Sequence, residues 1–180
     1  MKNVTMILAI LALLLTAVPA SADVFPDLEL RGDLAPEQAA YLGIEAAPVK
    51  VSAIPADFLL VEVFSMYCPI CQRDAPAVNE LYKELSAADT EGRIRFVGLG
   101  AGNTPFEVNF YAKKYEVPFP LFHDQEFEGH KALNNVGTPA YYLVDIASGR
   151  EIRLFHIGAI EDVSAMVGAL LEAAGIKGAE

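Results

Sequence analysis

Short apolar runs alternate along the chain with stretches of helical spacing. Phe58-Leu59-Leu60-Val61-Glu62-Val63-Phe64 is apolar at every position but one and partly β-branched, which predicts a strand buried on both faces. From Pro69 to Leu85 the apolar positions Cys71, Ala75, Val78, Leu81, Tyr82 and Leu85 recur at helical spacing, with Pro76 placed to kink the helix. Arg93 to Gly100 reads as a second strand. Thr104-Pro105-Phe106-Glu107 supplies an N-cap, a proline at the first helical position and a capping-box acid, so a helix is expected from there to about Tyr115. Phe119 to Phe122 is a third strand candidate and Glu126 to Asn134 a short helix. Ala140 to Val144 and Glu151 to His156 flank Ser148-Gly149, a hairpin turn, and Val163, Met166, Val167, Leu170, Leu171 and Ala174 mark one face of a closing helix. Strand and helix alternate, then comes an antiparallel pair, then a helix. That order implies an α/β fold, a mixed sheet with helices on both faces. Residues 23–57, with Pro26, Pro36, Pro48 and Pro55, read as an irregular lead-in containing a short helix from Ala35 to Leu42 that ends near Gly43, which leaves 58–176 as the expected domain.

The N-terminus has a different character. Met6 to Val18 is a continuous apolar run of about 13 residues, short for a bilayer span. Lys2 precedes it and Pro19-Ala20-Ser21-Ala22 follows, the small-x-small pattern of a signal-peptidase site, so residues 1–22 are expected to be a cleaved signal peptide and the chain to work outside the cytosol. No cysteine lies near that point to take a lipid. A hydrophobic content of 53% demands a packed core. The charge is lopsided: 13 Lys/Arg against 24 Asp/Glu give a net −11, which repels a phosphate backbone and argues against a nucleic-acid partner.

Export changes the meaning of the two cysteines, Cys68 and Cys71. A bridge across two intervening residues restrains the unfolded chain very little, so chemistry explains the pair better than stability does. Cys68-Pro69-Ile70-Cys71 stands where the first buried strand gives way to its helix. A sulfur at a helix N-terminus is favoured as thiolate, making Cys68 the nucleophile and Cys71 the resolving thiol. A zinc site would need two more ligands at short spacing, and His123 and His130 are too far apart in sequence to be the usual pair. Haem attachment needs His after the second Cys, where Gln72 stands. No metal or cofactor is therefore expected. His123 and His156 are read as structural or surface residues.

The stretch Val61 to Leu85, with its C-P-I-C motif and Pro76 eight residues past the first Cys, resembles the thioredoxin superfamily. Val136-Gly137-Thr138-Pro139, followed by a strand, resembles that superfamily's cis-proline loop. The signal peptide, and a helix and strand inserted at about Thr104 to Phe122 before that loop, resemble the TlpA/ResA branch of secreted thiol-disulfide oxidoreductases. The resemblance covers about residues 50 to 175 and implies a thioredoxin-like domain over 58–176. It implies Cys68 as attacking and Cys71 as resolving thiol, with Tyr67, Pro69, Thr138 and Pro139 meeting an extended protein substrate. Pro139 would be cis, against the alternative of an ordinary proline at a strand start. Glu62, six residues before the first Cys, matches the position of a buried acid that relays protons to the second, against the alternative of a solvated edge-strand Glu. Two features depart from the pattern: Ile94 to Gly100 carries no Lys to pair with that acid, and Tyr67 replaces the usual Trp, a residue absent from the whole chain.

The implied activity is extracytoplasmic disulfide exchange with protein substrates, most readily as a reductant. The expected partners are protein thiols or disulfides and a redox partner, with a membrane electron donor as one candidate. The chain is expected to be a monomer. A peroxiredoxin would have Pro seven and Thr or Ser three residues before its cysteine; Val61 and Ser65 stand there, so half that signature is missing. A non-catalytic metal-binding or assembly module is the rival from another class.

Overall fold

In chain order, the described residues of the computed structural model, 23–177, form β1 (Glu29–Leu30), α1 (Pro36–Leu42), β2 (Val49–Lys50), β3 (Phe58–Phe64), α2 (Pro69–Ala88), β4 (Ile94–Ala101), α3 (Pro105–Lys114), β5 (Leu121–Asp124), α4 (Glu128–Ala132), β6 (Ala140–Asp145), β7 (Glu151–Ile157) and α5 (Val163–Ala174). The expected signal peptide, residues 1–22, lies outside the described residues. Five strands make one mixed sheet in the order β5-β4-β3-β6-β7. β3 runs parallel to β4 and antiparallel to β6, so it is central and all seven of its residues are buried.

The period-two alternation of β3 separates two cores. Phe58, Leu60 and Phe64 face α2, α3 and α5, packing with Cys71, Val78, Leu81, Tyr111, Tyr141 and Leu170. Leu59, Val61 and Val63 face the other way, onto Phe25, Leu28, Leu30, Leu42 and Ile54. The stretch 23–57 is therefore more than an irregular lead-in. It holds α1 and the β1–β2 ribbon and it covers one face of the sheet.

Other elements fall close to their expected limits, with instructive differences. The third strand begins at Leu121 rather than Phe119. Pro118 and Pro120 have no N–H for a ladder, and the Pro120 carbonyl instead accepts the Gly98 N–H at 2.9 Å. Phe119 is diverted into the core, where it stacks on Phe96 with ring centroids 4.2 Å apart. α2 continues through Pro76 to Ala88 as one helix. α4 is shorter than the expected 126–134, because Phe127 before it and Asn134 and Asn135 after it take left-handed backbone. α3 and β5 form the unit inserted between the second core strand and the Thr138–Pro139 loop.

Candidate active site

Loop Ser65–Tyr67 leaves the buried end of β3 and delivers Cys68 as the N-cap of α2. Side chains from elsewhere hold this loop: Asn103, fully buried, accepts the Met66 N–H at 2.8 Å, and the Gln72 amide donates to the Met66 carbonyl at 2.6 Å. Pro69 occupies the first helical position, where a missing N–H has no consequence. The Cys71 N–H, free in the first turn, donates to Cys68 Sγ at 3.1 Å, so sulfur does what a Ser or Asp oxygen does at an ordinary cap. Cys71 lies one turn inward and is buried; its carbonyl accepts the Tyr111 hydroxyl at 3.0 Å. Both cysteines are free thiols.

The Thr138–Pro139 peptide bond is cis, and the loop lies directly against the pair. Cys68 Sγ donates to the Thr138 carbonyl at 3.3 Å, and the Pro139 carbonyl accepts the Gly158 N–H at 2.9 Å. The two sulfurs differ sharply in character. Partial burial would raise the Cys68 thiol, but hydrogen bonding from Cys71, from the Thr138 side chain and from the helix amides carries it below the ordinary thiol value. Desolvation, reinforced by Cys68 and by Glu62, pushes Cys71 strongly upward.

Glu62 is 3% exposed and lies on the same face of β3 as the dithiol helix. Desolvation, then the charges of Asp74 and Cys68, push its carboxyl up to about 8. Its register partner on β4 is Gly98, where a Cβ would collide with Leu121 Cδ2 and lie 3.2 Å from Phe64 Cε1. Packing thus leaves no room for a basic side chain at the place where one was missing from the sequence. Asp74, one turn after Cys71 and also buried, accepts the Tyr141 hydroxyl at 3.1 Å and the Ile160 N–H at 3.1 Å. Tyr141 is the register partner of Glu62 on β6.

Cys68, Cys71, Glu62, Pro69, Thr138 and Pro139 come together, and Tyr67 stands at the rim, 64% exposed. The histidines do not join them. His123 pairs through its backbone N–H with Arg31, and His156 rests against the Ala159 carbonyl at 3.2 Å. Sequence reasoning missed Asp74, Asn103, Gln72 and Tyr111. Asp74 carried a signal: it falls one turn past Cys71, next to Ala75 on the apolar face of α2, where a charged residue is unusual.

A sequence model of the AhpC/TSA family matches residues 22–149. The thiol-disulfide oxidoreductase ResA of Bacillus thuringiensis subsp. konkukian is 22% identical over 102 residues, covering 57% of this chain and 57% of that protein. The chain thus matches little more than half the length of such curated relatives. Among solved structures, StoA from Bacillus subtilis has a TM-score of 0.59 at 16% identity, covering 81% of this chain and 97% of the other. A thiol:disulfide interchange protein of the thioredoxin family from Chlorobium tepidum TLS has a TM-score of 0.60 at 18% identity, covering 87% of this chain and all of the other. These structural likenesses share the mixed-sheet fold.

Proposed function

The chain belongs to the AhpC/TSA family, within the thioredoxin superfamily and resembling its TlpA/ResA branch, and from that premise we propose that it is a thiol-disulfide oxidoreductase acting on protein substrates. The observation that carries this reading is the asymmetry of the pair: Cys68, capping a helix and stabilised as thiolate, lies against a cis-proline loop, while Cys71 is sealed behind it as thiol. In the reducing direction Cys68 thiolate attacks one sulfur of a substrate disulfide, forming a mixed disulfide and releasing the other sulfur as thiolate. Cys71 then gives its proton to Glu62 in its ionised form, and the Cys71 thiolate attacks Cys68 Sγ, breaking the mixed disulfide and releasing the second substrate sulfur. The substrate leaves as a dithiol once its sulfurs are protonated, and the protein holds the disulfide. Thr138 offers backbone groups to the extended substrate, and Tyr67 and Pro69 form the rim it lies on.

The working direction is reduction. That is the direction implied by the resemblance to the TlpA/ResA branch, with Cys68 as the attacking thiolate and the desolvated Cys71 keeping its proton until the mixed disulfide has formed. The pattern of residues 1–22 supports export to an extracytoplasmic compartment, where a separate donor, such as a membrane electron carrier, would return electrons to the pair.

Cys71→Ser tests the roles and the direction together. Prepared as the free Cys68 thiol, the variant should accumulate mixed disulfides with disulfide-bearing proteins, because nothing resolves them. An oxidant would instead capture partners only when Cys68 is preloaded as a mixed disulfide. Capture that needs Cys71 and survives loss of Cys68 would reverse the assignment.

A further inference from the structure

Tyr67 is a large aromatic side chain at the mouth of the dithiol with little to hold it. Among the described residues its ring makes no aromatic pair, and most of its surface faces solvent. Its backbone N–H reaches Ser65 Oγ at 3.4 Å, a long contact that does not fix the ring. The one firm restraint is at the far end, where the phenol hydroxyl donates to Glu107 Oε1.

Glu107 is in the first turn of α3, where the helix dipole favours a carboxylate. Its two oxygens have separate tasks. Oε2 accepts the Thr104 N–H at 2.8 Å and the Thr104 hydroxyl at 3.0 Å, completing the capping box, and Oε1 takes Tyr67. An ionised acceptor makes the phenol bond stronger than a neutral pair would be. Only three residues separate Glu107 from Asn103, which grips the Met66 backbone. The β4–α3 junction therefore holds the loop before Cys68 twice, once by its backbone and once by its aromatic ring.

We propose that Glu107 is a positioning residue that fixes the Tyr67 ring at the rim of the dithiol, giving substrates with apolar side chains beside their cysteine a docking face that is already formed. This rests on the oxidoreductase reading above. Glu107 touches neither sulfur and acts through Tyr67. A ring free to change rotamer would have to be ordered by each arriving substrate, a loss of a few-fold to roughly tenfold in affinity for one immobilised side chain. The chemistry at Cys68 draws on Cys71, Thr138 and the helix amides and is independent of the phenol.

The experiment is single-turnover reduction of a synthetic peptide bearing Leu and Trp around one cysteine, presented as its mixed disulfide with glutathione. The chain has no tryptophan, so the peptide's indole reports the reaction. Tyr67→Phe, which removes only the hydroxyl, should raise the half-saturating peptide concentration by about three- to tenfold. The limiting rate, and alkylation of Cys68 by iodoacetamide, should stay at parental values. Glu107→Gln keeps a capping-box side chain. Alone it should produce a smaller rise, and added to Tyr67→Phe it should produce none. Parental half-saturation in Tyr67→Phe, or effects of the two substitutions that simply multiply, would overturn the positioning role. A parent protein that reduces no peptide would overturn the oxidoreductase reading itself, and this role with it.

Discussion

Glu62 shows how one residue ties stability to chemistry. With its carboxyl raised from the ordinary 4.5 to about 8, the folded chain keeps a proton that the unfolded chain gives up across that interval. Folding therefore takes up a proton there, and stability must fall as pH rises from about 4.5 to 8, then level off. Glu62→Gln, which cannot titrate, should abolish this slope, worth on the order of 4 kcal/mol over the whole interval. Denaturant melts of parent and variant at pH 5 and pH 8 measure it, and an unchanged slope would place the proton elsewhere. The same variant should slow disulfide exchange near neutrality by on the order of 100-fold if Glu62 takes the Cys71 proton. Glu62 was conspicuous in the sequence because a lone acid interrupts an apolar run. Asp74 was fainter: its place beside Ala75 on the apolar face of α2 was a signal, but only the folded chain shows Tyr141 and Ile160 closing over it. Asn103 and Gln72 were hidden, since their partners are backbone groups of a loop with no sequence signature.

At the level of elements, local signals were read well where they were self-contained. The Thr104 capping box starts α3 where its four residues said it would, and the N-terminal end of α2 follows from Pro69 behind a capping sulfur. Strand limits were less legible, because a ladder depends on its neighbour: β5 could be placed only once the Pro120 carbonyl was seen bonded to Gly98 of β4. Gly98 is the clearest such case. Nothing in Val97-Gly98-Leu99 announces that Leu121 from the next strand fills the space beside it. Gly98→Ala should therefore destabilise the fold by about 1–3 kcal/mol through overpacking, although alanine is ordinarily the better strand residue. A lowered denaturation midpoint with an unchanged slope is the expected observation. A neutral result would show that Leu121 can swing aside.

The whole molecule is a sheet with two unlike sides. The side bearing α2, α3 and α5 contains the dithiol, Glu62 and Asp74; the other is closed by residues 23–57 and by Leu133 just past α4. The contribution of 23–57 was hard to foresee. Phe25, Leu28, Leu30, Val51 and Ile54 are scattered among prolines and polar residues without a helical or strand period, and their partners lie far along the chain. We expect a chain begun at residue 58 to lose cooperative unfolding and bind hydrophobic dye, because Leu59, Val61, Val63, Val97 and Tyr142 would be stripped of cover. A sharp melt in such a truncation would show the lead-in to be dispensable. The alternation along β3 also has a practical meaning for anyone engineering the protein. Its even-numbered side chains, Phe58 to Phe64, belong to the reactive half, and Leu59, Val61 and Val63 belong to the half that only supports it. Directed evolution for durability can be confined to those three sites and the segment they grip, while libraries aimed at redox behaviour explore the opposite face, and the two sets of gains can be recombined in one chain.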